Sequence, residues 1–430
     1  MEKQIIKNVI GEKQHQLGKI ELSPRPAVFD EKSCYVLVGI RRAGKSYTLY
    51  QDIQSKIASG KANADDFLYI NFEDERIAPI QANELGLLLE AYWEMYDLKR
   101  PFIYLDEIQN IVGWEKFARR LAEEKYRVMI TGSNAKMLSK DIASSLGGSY
   151  IQRNIYPFSF QEYIDYHGIT LDHNWEFNPE TRLMVVRHFE EYFQNGGFAE
   201  SFDKTDKREW LTSLYQKILI GDIVERNNIR NPRVFRLLAR KLAESVMQPT
   251  TLKRLEHIIK TTGDSISTPV LKDYLDYMED AYLTFSVPNL VSPLTDQQTT
   301  VKRYFADNGI LGLFYTDGET KLLENIVAVH LNKQYHNTPD ELRLFYYSKG
   351  TEVDFCIPET NTAIQVSYSI SDDSTYKREV GGLMKFLKTF KQYHGLIITW
   401  DTERQITENG ISIEVLPIWK WILKPLMSLS

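Results

Sequence analysis

The chain has 430 residues, 43% of them hydrophobic and 26% charged, a balance that excludes a disordered or fibrous protein. Its net charge of −6 excludes a protein whose whole surface sheathes nucleic acid, while leaving room for a basic patch on one domain. Two cysteines, Cys34 and Cys356, are too few for a disulfide framework and lack metal-ligand spacing, and no apolar run approaches the roughly 20 residues that cross a bilayer. The start, Met1-Glu2-Lys3-Gln4, leads into a mixed polar segment without a secretory core, so we expect a cytoplasmic protein with no membrane partner.

At about 150 residues per domain the length allows roughly three domains. In the first, residues 1–165, the apolar runs Cys34–Val38, Phe67–Phe72, Phe102–Leu105 and Arg127–Thr131 alternate with helical patterns. Trp114, Phe117, Ala118 and Leu121 share one helical face. Continuous apolar runs between helices predict buried parallel strands, hence an α/β layer with helices on both faces. The second domain, 166–295, is dominated by helical periodicity, as in Phe235, Leu237, Leu238, Leu242 and Val246. Ser267-Thr268-Pro269 has the form of a capped helix start, and a strand at Tyr282–Val287 follows, an order compatible with a winged helix-turn-helix. The third domain, 296–430, returns to α/β with strands at Leu342–Tyr347, Val353–Ile357, Ala363–Val366 and Gly395–Trp400 and a helix near Val380–Phe390.

The strongest chemical signal is Gly39-Ile40-Arg41-Arg42-Ala43-Gly44-Lys45-Ser46, a G-x-x-x-x-G-K-S loop that follows an apolar strand and precedes a helix containing Tyr47. Gly39 and Gly44 let the backbone curl until successive N–H groups face phosphate oxygens. Lys45 supplies a charge toward the β- and γ-phosphates, and the Ser46 hydroxyl is suited to Mg²⁺. Phe102-Ile103-Tyr104-Leu105-Asp106-Glu107 is the matching acidic strand end: Asp106 for the Mg²⁺ shell and Glu107 as the base for an attacking water. Val128–Gly132, ending in Ser133-Asn134, supplies a third polar strand end, with Asn134 as the candidate γ-phosphate sensor and Ser133 second. ATP and Mg²⁺ are therefore the expected ligands. A GTPase is disfavoured because Asn332-Lys333-Gln334-Tyr335 lacks the aspartate of the base-reading motif.

These motifs, with Gly113-Trp114-Glu115, Tyr156-Pro157-Phe158-Ser159-Phe160, Asn195-Gly196-Gly197-Phe198-Ala199-Glu200 and Asp222-Ile223-Val224-Glu225-Arg226, resemble a widespread prokaryotic ATPase family along nearly the whole chain. Its members join an AAA-like N-terminal domain to a C-terminal domain of unknown function. The resemblance implies a P-loop AAA-type core, a winged-helix-like middle and a C-terminal fold similar to restriction endonucleases. One departure bears on mechanism: family members usually carry Gly-Arg where this chain has Gly148-Ser149, leaving Arg153, Arg226 and Arg230 as candidate phosphate sensors.

A nuclease of the restriction-endonuclease type needs carboxylates for Mg²⁺ and a lysine beside the attacking water. Glu324 and Asp354 occupy the first two places, but Gln365 and Ser367 stand where Glu-x-Lys belongs. A neutral amide is a poor Mg²⁺ ligand beside carboxylates. We therefore expect a nuclease-like fold that has lost cutting, with Lys377 and Lys385 as remote substitutes for the lysine. The expected function is an ATPase that rearranges its appended domains on a nucleic acid or protein partner. The alternatives are a slow nucleotide-gated switch and, third, an ATP-coupled Mg²⁺-dependent nuclease. A ring would need an arginine from a neighbouring subunit, and the sequence names none.

Overall fold

The computed structural model describes residues 1–133, 146, 148–293, 300–338 and 341–424. The chain folds as two compact units, Met1–Tyr156 with Asp280–Tyr282, and Pro157–Glu279 with Leu283–Ser430. The division thus falls at Tyr156, and residue 295, the other expected boundary, lies outside the described residues.

The first unit is a five-stranded parallel sheet in the order β2-β3-β4-β1-β5, formed by β1 (Cys34–Val38), β2 (Phe67–Asn71), β3 (Phe102–Asp106), β4 (Val128–Gly132) and β5 (Tyr150–Asn154). Alternation along the strands explains the continuous apolar runs. Val36, Val38, Ile103, Leu105, Val128 and Ile130 turn to one face, beneath the helices Lys3–Leu17, Gly86–Tyr96 and Glu115–Glu123. Tyr35, Leu37, Tyr69, Tyr104 and Met129 turn to the other, against Leu49 and Ile53 of the helix Lys45–Ala58. Both faces are covered, so no polar alternation is left for the sequence to show.

Two elements of this unit carry no clear sequence signal. The polar-looking start forms the helix Lys3–Leu17, whose Ile6, Val9, Ile10 and Leu17 are fully buried. β5 is an edge strand of sequence Tyr-Ile-Gln-Arg-Asn, exposed along its middle and therefore without an apolar run.

In the second unit the helices Phe160–Tyr166, Pro179–Asn195 and Lys207–Lys217 lead into a π-helical stretch, Ile218–Glu225. There follow the helix Pro232–Glu244, the short strand β6 (Thr250–Thr251), the helices Leu252–Thr261 and Thr268–Asp280, and strands β7 (Thr284–Pro288) and β8 (Thr300–Phe305). β8 lies between β6 and β7 in an antiparallel sheet. Tyr282, at φ +56°, sits in the left-handed region, and β7 starts two residues later, not at Tyr282.

A six-stranded mixed sheet follows, in the order β13-β14-β12-β11-β10-β9. Its strands are β9 (Phe345–Ser348), β10 (Glu352–Ile357), β11 (Thr362–Val366), β12 (His394–Thr399), β13 (Arg404–Glu408) and β14 (Ile411–Pro417). The helix Asp373–Thr389 seats Val380, Leu383 and Leu387 on it. That helix begins well before Val380 because the Asp372 carboxylate caps it, accepting from Thr375 N at 2.9 Å.

Candidate nucleotide site

The loop Gly39–Ser46 joins β1 to the helix Lys45–Ala58. Gly39 has φ +150°, and a Cβ there would stand 2.0 Å from the Ile155 carbonyl oxygen, so no other residue fits. Gly44, at φ +99°, is the left-handed residue ahead of the helix. Lys45 is 4% exposed, and its Nζ donates to Gly39 O and Ile40 O, each at 3.1 Å, folding the ammonium back over the loop. Arg41 reaches Glu73 at 3.0 Å, Arg42 is exposed in a left-handed conformation, and the Tyr47 ring stands half out of the surface.

The acid pair arrives from β3, separated from β1 by β4 and so about 10 Å away at two strand spacings. Asp106 is fully buried; burial and then the neighbouring Glu107 charge push its carboxyl above the usual range, opposed by hydrogen bonds from Thr131, Tyr69 and Ser46. Tyr69 OH donates to Asp106 Oδ2 at 2.5 Å, and Thr131 Oγ1 donates to Oδ1. Glu107 has φ +54°, and its N–H donates to Thr131 Oγ1 at 2.9 Å. Burial pushes the Glu107 carboxyl up, but the Lys45 charge, a hydrogen bond from Gln109 and the Arg41 charge outweigh it and hold the group below the usual range. Glu107 Oε1 lies 3.8 Å from Lys45 Nζ. The loop lysine, the loop serine and both acids thus converge.

Three contributors have no role that a motif assigns. Thr131 and Tyr69 hold Asp106, and Arg25 braces the loop from outside, donating to Ala43 O at 2.9 Å and to Tyr156 O at 3.0 Å. Arg25 is itself fixed by Gln51, through hydrogen bonds of 2.9 and 2.7 Å to its backbone N and O. Its flanking prolines, Pro24 and Pro26, are the available sequence signal of a fixed backbone. Asn134 lies outside the described residues. Ser133, the second choice, is buried and hydrogen-bonds to Glu107. Among the other arginines, Arg153 stands 5.8 Å from the Tyr35 ring, and Arg226 is 3.7 Å from Asp222 in the second unit.

The donor set suits a magnesium triphosphate. Hard oxygens from Ser46 and Asp106 are already adjacent, and the buried Asp106 carboxyl has a pushed-up pKa that a cation would relieve. Gln109 Oε1, buried and without a partner, faces the same acid pair through its own Nε2 bond to Glu107.

The residues expected to form a vestigial nuclease centre are brought only partly together, in the second unit. Lys302 Nζ, fully buried on β8, reaches Asp354 at 2.9 Å, Glu352 at 3.0 Å and Glu324 at 3.2 Å. Tyr304 OH donates to Glu324 at 2.7 Å. Burial first, and Asp354 second, push the Glu324 carboxyl up to about 8, against the pull of Lys302. Gln365 instead donates to Glu379 at 2.5 Å, and Ser367 to the Ser369 carbonyl at 2.9 Å. The lysine of this cluster is therefore neither Lys377 nor Lys385, which bonds the Gly350 carbonyl. Lys302 is hard to find by pattern because β8, Thr-Val-Lys-Arg-Tyr-Phe, carries two charges and reads poorly as a strand. Among the described residues, no cluster of three or more His, Cys, Asp or Glu side chains is arranged to hold a metal by itself, and no helix is long and apolar enough to cross a membrane.

Residues 31–164 match the family described as AAA domain. Residues 186–319 and 319–421 match two families described as domains of unknown function, DUF8612 and DUF4143. An uncharacterised protein of Methanocaldococcus jannaschii, MJ1544, is 33% identical over 400 residues, covering 90% of this chain and 88% of that one. An uncharacterised Haemophilus influenzae protein is 27% identical over 403 residues, covering 90% and 94%. Among solved structures, the Walker-type ATPase PABY2304 of Pyrococcus abyssi superposes with TM-score 0.40 at 16% identity, over 69% of this chain and 99% of that one. The Aeropyrum pernix ORC1 protein, solved in complex with DNA, does so at 0.26 and 15% identity, over 76% and 94%. With the archaeal relative matched at 33% identity along 88% of its length, the chain belongs to the same family as that relative, and its residues 31–164 are an AAA domain that carries the loop and acid pair described above.

Proposed function

We propose that the first unit binds ATP with Mg²⁺ and hydrolyses it, and that turnover changes how the appended domains engage a macromolecular partner. The observation that carries this is the convergence of Lys45, Ser46, Asp106 and Glu107 from two strands separated by a third. The loop from Gly39 through Ile40, Arg41, Arg42, Ala43, Gly44, Lys45 and Ser46 to Tyr47 wraps the phosphates. On binding, Lys45 exchanges the Gly39 and Ile40 carbonyls for phosphate oxygens, and the amino end of the helix Lys45–Ala58 adds its positive dipole. Ser46 and Asp106 hold the magnesium, which when bound neutralises charge developing on the phosphates. Glu107, kept ionised by Lys45, accepts the proton of the attacking water. Asn134 is proposed as the polar group that senses the γ-phosphate.

We read the helix–strand–helix–helix–strand–strand segment ending at β8 as a winged helix, and the six-stranded domain after it as similar to restriction endonucleases without cutting activity. We further propose a cytoplasmic location. A slow nucleotide-gated switch is the second reading, favoured by Ser149 in place of the family's arginine.

Phosphate release from purified protein with ATP and Mg²⁺ tests the first reading. Lys45→Ala should abolish it, and equal rates from wild type and variant would end the ATPase proposal. Glu107→Gln should retain ATP while hydrolysing it about 10²–10⁴ times more slowly. Slow wild-type turnover with ATP retained through gel filtration would select the switch.

A further inference from the structure

Charge in the second unit is sharply segregated along the chain. Residues 226–263 contain nine Lys or Arg and two Glu, whereas residues 264–280 contain one Lys and five Asp or Glu, in a protein of net charge −6. The structure turns the first set into a surface. The helix Pro232–Glu244 buries Val234, Phe235, Leu238, Ala239, Leu242 and Ala243, which leaves Arg233, Arg236 and Arg240 in one exposed stripe on the opposite side. Spacings of three and four residues keep them on one face, over about 10 Å of helix axis. The helix Leu252–Thr261 packs beside it and exposes Lys253, Arg254 and Lys260.

Most of these cations are not neutralised internally. Lys260 pairs with Glu256 at 2.6 Å, and Arg233 approaches Asp264 at 3.5 Å. Among the described residues, no ion pair involves Arg236, Arg240, Lys253 or Arg254. The third helix, Thr268–Asp280, is the opposite case. It turns Asp273 and Asp276 to solvent with Lys272 as its one cation, and a phosphate backbone would be repelled along it.

We propose that the second unit binds duplex DNA through the arginine stripe of the helix Pro232–Glu244 and the adjoining cations of Leu252–Thr261, and not through the helix Thr268–Asp280, the usual groove reader of a helix-turn-helix. The occupant follows from the geometry of charge. One strand presents a phosphate about every 3.4 Å of axis, so about three fall within the reach of the stripe. Guanidinium forks match phosphate oxygens in pairs, as scattered carboxylates on an acidic protein would not. Contact is with the backbone, so little sequence preference is expected. The inference rests on the reading of this segment as the partner-binding module, and does not require ATP turnover.

The test is fluorescence anisotropy of a labelled duplex of about 30 base pairs with the full-length protein, at about 50 and 200 mM salt and without nucleotide. Wild type should bind, with affinity falling steeply as salt rises. Arg236→Glu with Arg240→Glu should weaken binding at least tenfold and lower the salt slope by about 2, roughly one for each lost phosphate contact. Asp276→Ala should bind at least as tightly as wild type. Circular dichroism melts show that the variants fold, and the milder pair Arg236→Gln with Arg240→Gln replaces the charge reversal if it does not. Lys45→Ala should bind DNA as wild type does, so loss of the ATPase reading leaves this result interpretable. Absence of binding by wild type, equal binding by the double variant, or binding of duplex RNA or polyaspartate in place of DNA would overturn the proposal.

Discussion

Thr131 shows how much of the nucleotide site depends on a residue to which the sequence motifs assign no role. Its single hydroxyl donates to Asp106 and accepts from the Glu107 backbone, linking the two acids to β4. That second bond supports Glu107 at φ +54°, a conformation that costs about 1 kcal/mol or more for a non-glycine residue. Thr131→Val keeps the shape and removes both bonds, leaving one donor fewer on a buried carboxylate. We expect hydrolysis to fall about tenfold or more, the worth of roughly 1–3 kcal/mol, with ATP affinity changed much less. Thr131→Ser should restore the rate, and steady-state phosphate release beside nucleotide titration separates the two effects. A valine variant with wild-type turnover would show that the hydroxyl is incidental. Lys45, Ser46, Asp106 and Glu107 were legible because loop curvature and phosphate charge demand those types at fixed spacing. Thr131, Tyr69 and Arg25 were not, since their partners lie 25, 37 and up to 131 residues away.

Among the elements, the helix Glu319–Gln334 is the one whose burial changes ionisation most visibly. It is buried on most sides, so its apolar pattern is nearly continuous rather than one-faced. His330 lies on it with its ring 4.8 Å from that of Trp421, and its Nε2 is buried without a partner. Burial first, and the Lys333 charge second, lower its pKa to about 3. The unfolded imidazole takes up a proton near pH 6.5 while the folded one does not. Stability from this residue is therefore complete above about pH 6.5 and lost as pH falls toward 3, by up to about 1.4 kcal/mol per unit. His330→Phe should keep the aromatic contact and remove this slope. Urea unfolding at about pH 7 and pH 5 checks it: the variant should gain about 1–2 kcal/mol relative to wild type at the lower pH, and parallel losses in both proteins would refute the assignment. Strand identities were legible where both faces are buried, as in β1 to β4. They were not where an edge or a charge interrupts the run, as in β5 and β8.

At the scale of the molecule, two compact units with separate cores imply two cooperative transitions. ATP with Mg²⁺ should raise only the transition of the first unit. At about a hundred times its dissociation constant the ligand adds about 2.7 kcal/mol, or roughly 5–10 °C for a domain of this size. Calorimetry with and without nucleotide measures this, and Lys45→Ala should remove the shift. A single transition that moves as a whole would count against independent units.

The sequence by itself determined the local chemistry: the phosphate loop, the acidic strand end and the buried strands. These depend on neighbours in the chain, where backbone curvature and side-chain periodicity act directly. Only the tertiary structure decided that β4 stands between the loop and the acids, that Lys302 fills the Glu324–Asp354 cluster, and that three arginines of one helix line up while the next helices divide into basic and acidic. Those arrangements follow from which distant strands pair and which helix faces the cores bury, and a charge has no fixed neighbour until that burial is settled.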